Sequence, residues 1–136
     1  MTPFSTVSTY VFFQIRVGIG EFDKVGIISN NRNEWAIIAA ACYSLRASLV
    51  PMYEAQLASD WSYILNDSGC SVVFCATDDI FERVQKEVFP QTPNLHASIC
   101  LDADSDEPYS FTARMKALAP DTSTPLSLTF WKRVLL

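Results

Sequence analysis

Four short and almost unbroken apolar runs limit what this chain can fold into. They are Val25–Ser29, Ser48–Val50, Val72–Ala76 and Ala97–Leu101. None alternates cleanly between apolar and polar residues. A strand of that kind has both faces covered, which is the habit of parallel sheets rather than of hairpins with one wet face. Parallel neighbours cannot be joined by a tight turn. The runs recur after roughly two dozen residues, enough for a helical crossover each time. The pattern therefore predicts an α/β fold of repeated β-α-β units around a mostly parallel sheet.

The intervening segments have helical spacing. Over Asn33–Arg46, residues Trp35, Ile38, Ala39, Cys42 and Leu45 fall on one face, and Ile37, Ala40 and Ala41 make the other face apolar too. Asn31 or Asn33 is the expected cap. Over Ala58–Ser68, Leu57, Trp61, Ile64 and Leu65 share a face, Ser59 is a reasonable cap, and Gly69 stands where a left-handed residue ends a helix. Over Asp79–Val88, Phe81, Val84 and Val88 share a face, Asp79 and Glu82 resemble a capping box, and Pro90 is expected to stop the helix. Beyond Asp102 the pattern dissolves into an acidic loop to Pro108, a short helix over Phe111–Leu118, a turn-rich Pro120–Pro125 and an apolar tail containing Lys132-Arg133.

Composition removes several function classes. Apolar residues make up 49% of the 136 and charged residues 18%, which is enough to build a core and too apolar for general disorder. Ten basic against 15 acidic side chains leave a net charge of −5, with no Lys/Arg cluster to displace phosphate counterions, so nucleic acid is not an expected partner. Cys42, Cys75 and Cys100 sit inside apolar runs, and Cys70 follows Gly69 at a position that can be core. No pair is spaced C-x-x-C, as suits reduced, buried thiols in a reducing compartment. The Tyr10–Phe13 patch lacks the charged start of a secretory signal, and Trp35–Tyr43 falls far short of a membrane span. The expected location is the cytoplasm or the cytosolic face of a membrane.

In an open parallel sheet, ligands bind outside the carboxyl ends of the strands. Those ends read Asn30-Asn31-Arg32-Asn33, Pro51-Met52-Tyr53-Glu54, Thr77-Asp78-Asp79 and Asp102-Ala103-Asp104. None contains the glycine that lets backbone N–H groups approach a phosphate. Gly18 and Gly20 begin a G-x-G-x-x-G pattern, but Asp23 takes the third place and the pair precedes a strand. Asp102, Asp104 and Asp106 are spaced like the start of a calcium loop. Glu107 replaces the turn glycine and Ala113 the closing carboxylate, so a solvated acidic loop is the reading. His96 is the single histidine, too little for a zinc site, and reads as structural beside Cys70 and Cys75. Trp35 and Trp61 read as core. The segment that stands out is Tyr53-Glu54-Ala55-Gln56. It places a phenol, a carboxylate and an amide at a sheet edge, where Tyr53, Glu54 and Gln56 are the candidate substrate or cleft residues. No catalytic residue and no metal ligand is assigned.

The stretch from Asp23 to Trp35 (DKVGIISNNRNEW) resembles the N-terminal region of long-chain acyl-CoA synthetases, members of the AMP-forming adenylating enzymes. Three further pieces resemble the same proteins in the same order. They are Ala41–Leu45 running into Leu49–Glu54, then Trp61–Gly69, then Val72–Ala76. The resemblance covers 17–118, as part of the family's large N-terminal domain, and leaves 1–16 and 119–136 unmatched.

The resemblance implies ATP-dependent activation of a fatty acid to an acyl-adenylate, then transfer of the acyl group to coenzyme A, with Mg2+ assisting. Fatty acid, ATP and CoA are thus partners of the complete enzyme, and membrane association would belong to it as well. The family's Ser/Thr/Gly-rich phosphate loop with its lysine, its adenine-holding aromatic motif, its ribose-binding aspartate and its C-terminal catalytic lysine have no counterpart here. The expectation is therefore a partial ligase, inactive alone and without a cofactor of its own. The alternative is a non-catalytic module that associates with a full-length synthetase or with itself through exposed apolar surface.

Overall fold

The computed structural model describes residues 17–104 and 106–118. The expectations placed on the Tyr10–Phe13 patch, the Pro120–Pro125 turns and the tail with Trp131 and Lys132-Arg133 lie outside the described residues. All four apolar runs are strands: β1 (Lys24–Ile28), β2 (Ser48–Met52), β3 (Val72–Cys75) and β4 (Ala97–Cys100). They form one sheet in the order β2-β1-β3-β4, with every pairing parallel. The helices between them are α1 (Asn33–Ser44), α2 (Ala58–Ser68) and α3 (Asp78–Arg83), with α4 (Phe111–Leu118) after the last strand.

Side chains leave a strand alternately to its two faces, so two cores form. Val25, Ile27, Val72, Phe74, Ile99 and Leu101 meet Ile38, Ala41, Cys42 and Leu45 of α1 and Phe111 of α4. On the opposite face Ile28, Met52, Val73 and Cys75 meet Ala58, Trp61 and Leu65 of α2 and Ile80, Val84 and Val88 beyond it. The continuous apolar runs are thus two alternating half-patterns, each with its own helices. Gly26 sits in close packing, because a Cβ there would lie 2.9 Å from a Leu65 methyl and 3.0 Å from the Met52 methyl, and those side-chain ends would have to shift.

Several helix ends differ from their sequence reading. Arg32, not an asparagine, is the N-cap of α1, and it caps without a side-chain bond. The helix ends at Ser44, and Arg46 takes φ +59 with no glycine to do so. Arg46 is held there by an ion pair to Glu21, by the Phe22 ring 5.4 Å away, and by the Phe22 N–H bonded to its carbonyl. Leu57 is the extended N-cap of α2, so its side chain leaves the helix face and is exposed. The Asp60 carboxylate takes the Leu57 N–H. Gly69 adopts φ +75 as expected. The Thr77 hydroxyl, rather than an Asp79–Glu82 box, caps α3 by accepting the Ile80 N–H. The third helix does not run regularly to Pro90. It widens into a π turn over Val84–Val88 and tightens into a 3-10 turn over Phe89–Gln91 that contains the proline.

The Phe81, Val84, Val88 face shifts accordingly: Ile80, Val84 and Val88 are buried, while Phe81 is half-buried. Phe22, Tyr43, Tyr53, Leu57 and Tyr63 are the large apolar side chains left exposed among the described residues. No helix among those residues is long and apolar enough to cross a membrane.

Candidate functional site at the carboxyl edge of the sheet

The strand order puts the topological switch point between β1 and β3, because the chain moves outward to β2 in one direction and to β4 in the other. The loops leaving β1 and β3 run to helices on opposite faces, and in this class of sheet that divergence opens a crevice for ligands. Here the crevice holds Arg32. Its Nη1 donates to the Ala76 carbonyl at 3.3 Å, at the end of β3. Its Nη2 pairs with Asp102 at 2.7 Å, just past β4, and its Nε with Glu34 at 2.8 Å in the first turn of α1. One guanidinium thus joins the carboxyl ends of β1, β3 and β4.

The electrostatics follow from those contacts. The Arg32 hydrogen bond holds the Glu34 carboxyl below its ordinary range, outweighing partial burial, which acts the other way. Glu34 and Asp102 in turn hold the proton on Arg32 more firmly. A guanidinium offers five N–H donors in a fixed fork, and partners on all three nitrogens leave little to offer an incoming anion. The sequence reading passed over Arg32. The available signal was its being the single cation among four strand-end loops that otherwise carry carboxylates.

Of the three candidate cleft residues, two are engaged in backbone bonds that shape the strand ends. Glu54 accepts the Asn30 N–H at 2.8 Å, tying the β2 end to the β1 end. Gln56 accepts the Tyr53 N–H at 2.9 Å. Tyr53 is 76% exposed, so its ring projects into solvent. Trp61, fully buried as expected, sets this loop by donating its indole N–H to the Tyr53 carbonyl at 2.9 Å. Arg83 lies 4.4 Å from the Trp61 ring and reaches the Gln56 carbonyl. Trp35 is only partly buried, at the margin of the α1 core.

All four cysteines are buried and none forms a disulfide. Burial pushes the Cys70 and Cys75 thiols up, and Cys100 rises to about 11 for the same reason. Such thiols are inert as nucleophiles. His96 is exposed, with Nε2 3.3 Å from the Val17 carbonyl. Among the described residues no group of three His, Cys, Asp or Glu side chains is placed to hold a metal ion. The strand-end loops hold no glycine, and the crevice cation is already paired.

The sequence matches the family described as AMP-binding enzyme over residues 11–128. It is 34% identical over 87 residues to long-chain-fatty-acid–CoA ligase 5 of Rattus norvegicus, a match covering 61% of this chain and 12% of that protein. It is 30% identical over 116 residues to long-chain-fatty-acid–CoA ligase FadD15 of Mycobacterium bovis, covering 76% and 19%. Among solved structures, a long-chain-fatty-acid–CoA ligase (FadD1) from Archaeoglobus fulgidus superposes with a TM-score of 0.72 at 18% identity, over 83% of this chain and 22% of that one. The N-terminal domain of FACL13 from Mycobacterium tuberculosis superposes with a TM-score of 0.71 at 21% identity, over 83% and 27%. At those identities the superpositions establish the fold, and the chain spans no more than 19% of the length of the two ligases compared by sequence. The ordered match across most of its length places the chain in the AMP-binding enzyme family.

Proposed function

We propose that this chain is the front β-α-β portion of a long-chain fatty acid–CoA ligase, a scaffold that makes no acyl-adenylate by itself. In the complete enzyme the fatty acid carboxylate would attack the α-phosphorus of ATP and release pyrophosphate. The CoA thiol would then displace AMP to give acyl-CoA. The single observation carrying this reading is the 30–34% identity to long-chain-fatty-acid–CoA ligases within the family match. The internal pairing of Arg32 supports the scaffold role, because it ties three strand ends together rather than facing a substrate.

The test has two arms. The isolated chain, given palmitate, ATP, Mg2+ and CoA, is expected to form no palmitoyl-CoA, and formation of the thioester would overturn the scaffold reading. With the matching segment of this chain grafted in place of the 87 aligned residues of the rat ligase, the hybrid is expected to retain acyl-CoA synthesis. A folded graft that is inactive would overturn the family role.

A second reading, association with a full-length synthetase, is favoured by the exposed Phe22, Tyr43, Tyr53, Leu57 and Tyr63. Co-expression with the intact rat ligase and recovery of a stoichiometric complex would support it. Recovery of the ligase alone would remove it.

A further inference from the structure

Beside β4 lies a shallow, open pocket of about 420 Å³ that the crevice at Arg32 does not share. That volume is within the usual range for small-ligand pockets. Three aromatic rings line it: Phe81 of α3, Phe89 of the 3-10 turn, and Tyr109 of the loop before α4. Phe81 and Tyr109 stack with centroids 4.2 Å apart and planes within 12°, so each ring covers one face of the other and the pair meets the pocket as a unit. The polar lining is mostly self-satisfied. Gln85, on the π turn, donates its amide to the Ser98 hydroxyl, and His96 has Nε2 against the Val17 carbonyl.

Arg114 is the exception. Its Nε donates to the Pro108 carbonyl at 3.2 Å, which fixes the plane of the guanidinium. The ion pairs among the described residues involve Arg32 and Arg46, and none of them involves Arg114. A guanidinium held by Nε presents its two terminal amino groups as a fork that matches a carboxylate or sulfonate. Widened π turns also recur at functional sites, and this one carries Gln85 to the cavity while Val84 and Val88 stay in the core.

We propose that this cavity binds a small planar aromatic monoanion, with its ring against the Phe81–Tyr109 and Phe89 surfaces and its carboxylate or sulfonate on Arg114. The site is independent of the acyl-CoA reading, since none of its lining residues belongs to the strand-end loops at the crevice.

The experiment is titration of the isotopically labelled 136-residue chain with 2-naphthoate, followed by amide chemical shifts. Saturable shifts are expected at Phe89, Ala97 and Arg114. The neutral 2-naphthamide is expected to bind about tenfold more weakly, as is 2-naphthoate to Arg114→Gln, with 2-naphthamide affinity unchanged by that substitution. Equal binding of the acid and the amide to the unaltered chain would overturn the proposal, and this comparison needs no variant to fold. So would shifts confined to Tyr53, Leu57 or Phe22, or no saturable shift up to about 10 mM. Should the cavity instead seat another copy of the chain, shifts at the same residues would follow protein concentration rather than ligand, which would also overturn it.

Discussion

Replacing Trp61 separates the packing of the second core from the shaping of the Tyr53 loop. The indole is wholly buried among Met52, Leu65 and Val84, bonds the Tyr53 carbonyl and lies under Arg83. Trp61→Phe removes the N–H donor and strands a half-buried carbonyl, worth about 1 kcal/mol. It also removes part of the ring, and the lost transfer energy and partial cavity are worth about 1 kcal/mol more. The expected loss is therefore about 2 kcal/mol, rising to about 4 kcal/mol for Trp61→Ala, in the usual range for deleting a buried tryptophan.

A double-mutant cycle with Arg83→Ala should give a coupling of about 0.5–1 kcal/mol for the cation over the ring. Urea unfolding of the full chain, followed by far-ultraviolet circular dichroism, reads all four proteins at an unchanged slope. A loss below about 0.5 kcal/mol for Trp61→Phe would refute the reasoning, because that is the size of an ordinary surface substitution.

Gly69→Ala is expected to cost about 1–2 kcal/mol through the left-handed conformation alone, since nothing lies within 4 Å of the position a Cβ would take. Gly69→Asn should recover part of it, measured as the shift in urea midpoint. Arg32→Ala is expected to cost about 1 kcal/mol at neutral pH, small because its partners are half-exposed, and less at high salt. The sign with pH follows from Glu34, whose carboxyl lies below its ordinary value of 4.5 in the folded chain. Its stabilisation is complete above the unfolded value and is lost as pH falls through the folded one. The difference between the wild type and Arg32→Ala should therefore be constant from pH 7 to about 5 and shrink below about 4.5, read by urea titration at each pH.

The apolar runs, their spacing and their lack of alternation sufficed to identify four strands, three crossovers and a parallel sheet, because burial on both faces leaves a compositional trace in the strand itself. Gly69 was legible for a similar reason: a left-handed helix end has few residue types to choose from. Tyr53, Glu54 and Gln56 were picked out as polar residues at a sheet edge, but their partners were not. The Asn30 N–H lies 24 positions away from Glu54, and the chain brings them together only once β1 and β2 pair.

The strand order was likewise invisible. The sequence shows that β1 and β3 are strands, whereas their adjacency, which creates the crevice, depends on which face each helix covers. Arg32 shows the same division. Its charge is local information, but its role depends on Ala76 and Asp102, 44 and 70 residues away. The caps at Arg32 and Leu57, and the π turn before Pro90, went against local preference: Arg32 is held by the distant Asp102 as well as the neighbouring Glu34, Leu57 by Asp60 three residues on, and the π turn keeps Val84 and Val88 buried. Periodicity and turn chemistry act within a few residues and can be read along the chain. Strand order, the crevice and the partners of a charged side chain depend on contacts tens of residues apart, and those exist only in the folded sheet.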